Sequence, residues 1–339
     1  MKTAITILAV FFVIGILVSV GALFFGARSF SSSLPKGGGG IITFDGKEFK
    51  QIKSTAGFEV KDIVFSHANK NAVYLATLSN GIWVSKNGGE IFTKAQDKVL
   101  QGKVDVYDIE ENSKGDLYSS IYNFKDNRGS LIFSKYPPEN STEIYFSSLP
   151  RFGIFGSSVV NGTISIISSD GGFYRSINNG KSWELRSRGS VGFLKMKYFS
   201  GKFWVLTSEG RILSTSDYGK NFKDITPKSD SFGVGVSDFY LNPRNGFLIA
   251  VSEKIFLSKN GGESWSALNL IVSPDTLPIV SAVVHPNDSN IIFAASERII
   301  YKSSDGGNSW SFFELLMNGQ IYKLFVDSLK PNLLFIGTK

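Results

Sequence analysis

The chain has 339 residues, 42% hydrophobic and 14% aromatic, enough apolar material for a large core, which excludes a disordered polymer. Its formal charge of +7 is spread along the sequence with no basic run, which excludes a nucleic-acid-binding arm. The absence of cysteine excludes disulfides, thiolate metal sites, a cysteine nucleophile and lipidation at a cysteine.

At the N-terminus, Ala4 to Ala27 form an uncharged run of 24 residues between Lys2 and Arg28. About 20 apolar residues span the hydrocarbon of a bilayer, so residues 1–28 read as a signal anchor, a transmembrane helix that leaves the rest of the chain extracytoplasmic. Val20-Gly21-Ala22 also offers a small-x-small cleavage site, so a removed signal peptide is the alternative. Residues 29–40, SFSSSLPKGGGG, have the composition of a flexible linker.

Beyond the linker an octet recurs with the spacing Ser/Thr-x-Asp/Asn-x-Gly-x-x-Trp/Phe. Five copies fit it: Ser85 with Asn87 and Phe92, Ser176 with Asn178 and Trp183, Thr215 with Asp217 and Phe222, Ser258 with Asn260 and Trp265, and Ser303 with Asp305 and Trp310. A copy one residue short holds Thr43, Asp45 and Phe49, and Ser134 stands where another begins in a rewritten turn. The Asp or Asn is suited to accept backbone N–H groups of its own turn. The Gly permits a positive φ, and the aromatic drops into the core, so the octet reads as a hairpin clip.

Before each clip run three apolar strands separated by turns, and a fourth strand follows it, the pattern of a propeller blade. The last unit stops after its second strand, whereas the first globular residues supply only a third and a fourth. The expected fold is therefore all-β: a single seven-bladed propeller of four-stranded antiparallel blades over 41–339. Residues Ile41 to Ile52 are expected to close the ring against Ile321 to Thr338.

The clip resembles the Asp-box, or BNR, repeat of sialidase-like, xyloglucanase-like and sortilin-like propellers and of photosystem assembly factors of the Ycf48 type. That resemblance implies an architectural role for the box, at the end of the blade away from the ligand face. It spans hydrolases, receptors and assembly chaperones, so it implies no single activity. A sialidase pattern is not met, since Arg211-Ile212 and Arg298-Ile299 lack the following proline. The paired propellers of the xyloglucanase pattern exceed this length, and the cysteine-rich companion of the sortilin pattern is missing. The arginine patch of the assembly factors has no evident counterpart, because Arg151, Arg175, Arg186, Arg188 and Arg211 are scattered in the sequence.

Ligands of propellers meet the face around the channel, where the innermost strands begin. Lys61, Asp62, Tyr107, Asp108, Phe152, Lys195, Ser237, Asp238, Ser281, Tyr322 and Lys323 are expected there. Asp62, Asp108 and Asp238 are the catalytic candidates if the protein is a glycoside hydrolase, which needs two carboxyls about 5–9.5 Å apart; otherwise such acids bond neighbouring backbone. The two histidines, His67 and His285, sit in turns after inner strands, and no metal or cofactor site is expected. The irregular third unit, Ile121 to Gly156, reads either as relaxed structure or as a docking surface, which Tyr122, Phe124, Tyr136, Tyr145 and Phe146 would make aromatic. The expected function is a membrane-anchored binding or assembly scaffold for an envelope protein or complex. The alternative is a carbohydrate-active protein with a glycan ligand.

Overall fold

The structure is a computed structural model that describes residues 39–136, 138, 140–146, 152–228, 235–270, 277–315, 320–327 and 329–339. The proposed anchor, residues 1–28, and all of the linker but Gly39 and Gly40 lie outside them. Among the described residues no helix is long and apolar enough to cross a membrane.

Seven four-stranded antiparallel sheets make the molecule, each a blade. Blades 1 to 6 take consecutive strands over 60–94, 104–146, 154–188, 193–224, 238–267 and 281–314. Blade 7 joins the two chain ends: Ile321–Val326 is innermost, then Leu334–Thr338, Gly40–Phe44 and Phe49–Ile52. Ile41 stands opposite both Ile52 and Gly337, so the expected closure is formed with the expected strands.

Hydrophobicity falls from the middle of each blade outwards. Second strands such as Val73–Thr77 and Leu248–Val251 are buried at every position, because both of their faces meet neighbouring blades. Fourth strands such as Lys223–Asp224 and Ser266–Ala267 are fully exposed. The apolar residues gather in seven clusters placed between successive blades. One cluster joins Tyr74 and Ile82 of blade 1 to Val106 and Ile121 of blade 2. Another joins Ile41, Ile52 and Phe335 of the closing blade to Val60 and Leu75 of blade 1. Full burial of each such side chain contributes about 1.5–3 kcal/mol, so the ring is held by interfaces that no blade makes alone.

The recurrent octets turn from third to fourth strand at one end of the blades. Ser258 Oγ donates to Asn260 Oδ1 at 2.9 Å and accepts Gly262 N–H at 2.8 Å, while Asn260 Oδ1 accepts Ser264 N–H at 2.9 Å. The octets at Ser85, Ser176, Thr215 and Ser303 repeat this pattern. In the shortened copy Asp45 Oδ1 accepts the N–H groups of Lys47 and Glu48, both at 2.8 Å. Gly262 has φ +90°, and a Cβ there would stand 2.2 Å from Ile225 Cδ1 of the preceding blade. The octets also join blades: Trp265 Nε1 donates to Ile225 O at 2.7 Å and Trp183 Nε1 to Ile144 O at 3.0 Å, whereas Trp310 Nε1 bonds Gly307 O of its own turn.

Candidate functional site in the central channel

Each innermost strand begins with an irregularity that aims side chains at the channel. In blades 1, 2, 3, 4 and 7 the register slips by one residue, so Lys61, Tyr107, Phe155, Leu194 and Tyr322 are each an extra residue opposite the second strand. Blades 5 and 6 do the same with Ser237 and Val280, which donate to Val251 O and Ala295 O, the residues already opposite Asp238 and Ser281. A bulge bends a strand and re-aims the residue that follows it. The seven residues brought to equivalent positions are Asp62, Asp108, Gly156, Lys195, Asp238, Ser281 and Lys323. Asp62, Asp108, Lys195, Asp238 and Lys323 of these line a cavity of ≈ 610 Å³ that continues along the strands to His67, Glu111 and Pro243.

The charges on this ring pair across the channel. Lys197, two residues beyond the ring position of blade 4, places Nζ 3.4 Å from Asp62 Oδ2 and 3.3 Å from Asp108 Oδ1. Lys195 and Lys323 each stand 2.7 Å from a different oxygen of Asp238, and Lys195 also donates to Phe239 O at 2.5 Å. Backbone and hydroxyls complete the set. Asp108 Oδ2 accepts Ser157 N–H at 2.9 Å, and Ser281 Oγ donates to Asp238 Oδ2 at 3.4 Å while accepting Leu324 N–H. These six charged side chains are only 7–30% exposed, so their attraction is screened far less than at an open surface.

Titration follows from that crowding. Burial alone would raise Asp238, but the Lys195 and Lys323 ammonium groups outweigh it and hold the carboxyl at about 2. Burial pulls Lys195 down to about 7, with Asp238 opposing and Lys323 adding to the fall. For Lys197 burial is outweighed by Asp62, Asp108 and Glu110, and its pKa rises. Asp108 is pushed up to about 6, first by burial and then, against the pull of Lys197, by the charge of Asp62. Glu110, two residues beyond Asp108, is pushed up to about 8, mainly by burial. Glu110 is half-buried and lines the cavity, and the protein packed around it raises the cost of its charged form. Among the described residues its carboxyl makes no hydrogen bond.

The sequence-predicted residues therefore divide. Asp62, Asp108, Lys195, Asp238, Ser281 and Lys323 share the ring. Lys61 and Tyr107 stand on its rim with Phe155 and Leu194, and Lys61 is paired with Glu59 at 2.7 Å. Tyr107 packs edge-on to Phe155 at 4.6 Å. The Tyr322 hydroxyl donates to Val60 O and ties blade 7 to blade 1. In blade 3 the expected position, Phe152, lies before the strand; the bulge makes Phe155 and Gly156 the equivalents. Sequence reading passed over Glu110 and Lys197, whose signal was only their i+2 spacing from Asp108 and Lys195.

The aromatics of the irregular unit do not form one surface. Tyr122 and Phe124 lie at the turn beside the start of the inner strand, since Asn123 pairs with Val104, and their rings meet at 5.2 Å. Tyr136 is at the opposite end of the blade, edge-on to Tyr74, and Tyr145 packs between Tyr174 and Trp183. His285 is buried, its Nδ1 accepting the N–H groups of Asn287 and Asp288, a turn role. The arginines are less scattered than their sequence positions imply. Arg175, Arg186 and Arg188 share the outer strands of blade 3 and are paired with Glu184 or Asp170, while Arg151 lies outside the described residues.

No family model matches the chain, and no curated protein matches it. Among solved structures it is similar to YCF48 from Cyanidioschyzon merolae, with 14% identity over 84% of this chain and 97% of that one and a TM-score of 0.64. A structure described as YCF48 bound to D1 peptide matches at 14% identity over 92% and 99%, TM-score 0.66. The GH74 xyloglucanase from Xanthomonas campestris matches at 13% over 91% of this chain but 52% of its own length, TM-score 0.66. At such identities the likeness establishes the propeller fold and nothing finer.

Proposed function

We propose that this chain is a membrane-anchored, extracytoplasmic propeller that acts by binding, as an assembly scaffold for an envelope protein or complex. We read its octets as Asp-boxes of architectural role. The observation that carries the binding reading is the compensation of the channel aspartates. Asp62 and Asp108 share the Lys197 ammonium, and Asp238 is held by two more. A glycosidase needs one carboxyl free to attack or activate water and another free to protonate the leaving group; carboxylates fixed on lysines serve neither role.

The route of the chain supports the same reading. Gly40 N–H donates to Phe58 O and Gly39 O accepts Gly57 N–H, beside the start of the inner strand that carries Lys61. The chain thus enters on the third strand of blade 7, at the end of the blades where the channel mouth lies. A linker of about a dozen residues reaches at most roughly 40 Å, so an intact anchor holds that mouth close to the membrane. The likeness to a propeller described with a bound peptide agrees with capture of a protein segment.

The carbohydrate-active alternative keeps one observation in its favour: Glu110, a carboxyl protonated at neutral pH, stands two residues from Asp108. Pull-down from detergent-solubilised native membranes, with the full-length chain beside an Asp62/Asp108/Asp238→Asn variant, tests both readings. A stable protein partner is the expected result. Recovery of no protein, with glycan bound by the native chain and lost in the variant, would refute the scaffold.

A further inference from the structure

We propose that the central channel is a socket for a primary ammonium group carried on an apolar stem, with Glu110 as its counter-ion. Under the scaffold reading, on which this step rests for its occupant, the stem is a lysine side chain presented by the partner protein.

The argument is one of unmatched charge in a cavity of ≈ 610 Å³. Five carboxyls line it, Asp62, Asp108, Glu110, Glu111 and Asp238, with four ammonium groups, Lys61, Lys195, Lys197 and Lys323. Lys61 is engaged by Glu59 and the other three by aspartates, while Glu111 accepts the Ser66 hydroxyl and the His67 N–H, which leaves Glu110, among the described residues, the lining carboxyl with neither an ion pair nor a hydrogen bond. A half-buried carboxyl without a partner favours its neutral form, and desolvation accordingly holds Glu110 up at about 8. The groups that bear on it are Lys197, Asp108, Asp62 and Glu111, and His67 lines the same cavity.

Other ligand classes fit less well. An added anion finds each ammonium already engaged. A divalent metal is opposed by the Lys197 ammonium standing between the two aspartates, and among the described residues no group of three acidic or histidine side chains is disposed to hold one. A neutral apolar group leaves Glu110 unpaired. Val64, Tyr240 and Phe325 line the cavity and Phe155 and Leu194 its mouth, so apolar walls are available to a methylene stem. The incoming ammonium converts Glu110 to the carboxylate, so binding releases a proton and weakens as pH falls below 8.

The test is calorimetric titration of the full-length chain in detergent with Nα-acetyl-lysine methylamide, and with the norleucine analogue as its uncharged match. The lysine probe is expected to bind at least tenfold tighter than norleucine, about tenfold tighter at pH 8 than at pH 6, and with proton release that differs between buffers. Glu110→Gln is expected to lose the probe with no loss of melting temperature, and Glu110→Asp to restore part of the binding. Absence of lysine-probe binding, equal binding of norleucine or full binding by Glu110→Gln would each overturn the socket. Probe binding with no protein partner recovered from membranes would sink the scaffold reading alone. A partner retained by Glu110→Gln would overturn its lysine as the occupant.

Discussion

At the clip end, Ser258, Asn260 and Gly262 satisfy one another within a few residues, whereas in the channel Lys197 meets Asp62 and Asp108 from 135 and 89 positions away. Both are polar networks beside an apolar core, but they depend on different things. A local turn forms its bonds whenever its own backbone is right. The channel network exists only when blades 1, 2 and 4 stand in place around the ring, so it is the part that reports assembly of the whole.

The largest test of that contrast is Lys197→Met. It strands Asp62 and Asp108, and removing one partner of a buried pair typically costs about 3 kcal/mol. Urea denaturation should show this loss at pH 7 and partial recovery at pH 5, where Asp108, already pushed up by burial, protonates. A loss below about 1 kcal/mol would mean that channel water screens the network like an exposed one.

Glu110→Gln is expected to act in the opposite sense. The folded pKa of Glu110 is about 8, above the ordinary carboxylate value, so its stabilising protonation is complete in acid and is lost as pH rises from about 4.5 through 8. The Gln variant lacks that slope. It should be more stable than the native chain at pH 8, by on the order of 2 kcal/mol, and no more stable at pH 5; equal stability at both would show that Glu110 ionises freely.

At the clip end, Ser258→Ala removes the buried acceptor of Gly262 N–H and should cost about 1 kcal/mol at any pH from 5 to 8. A pH-dependent loss would erase the distinction between the two ends.

The same contrast explains what could be read from the sequence. Ser258, Asn260, Gly262 and Trp265 carry their contacts in their own spacing, so the octet, the blade number and the closure of Ile41 to Ile52 on Ile321 to Thr338 were legible. Asp62, Asp108 and Asp238 could be placed on the channel because the repeat aligns the inner strands. Their neutralisation could not, because pairing of Lys197 with residues of two other blades follows from ring curvature, which no local pattern encodes. The one-residue bulges hid the position of Phe155. The split of Tyr122 and Phe124 from Tyr136 follows from strand direction within one blade, and it was missed because the aromatics were read as a single segment.

Exposure and topology disagree about where a partner docks. The most exposed large apolar side chains include Ile91 and Ile177, 60% and 72% exposed, both in clip turns. Phe124 and Leu194, 43% and 45% exposed, lie at the channel-mouth end, where Lys103 stands 4.5 Å over the Phe124 ring and where the chain joins the propeller. Single exposed aliphatics at turns are ordinary, whereas an aromatic beside a recessed site is placed to anchor a ligand. Phe124→Ser with Leu194→Ser, and Ile91→Ser with Ile177→Ser, should each change stability by no more than about 0.5 kcal/mol. Only the mouth pair should reduce partner recovery, by tenfold or more in quantitative pull-down, because the proposed anchor would turn that end to the membrane. Loss confined to the clip pair would place docking at the far end and make the channel mouth the inert face.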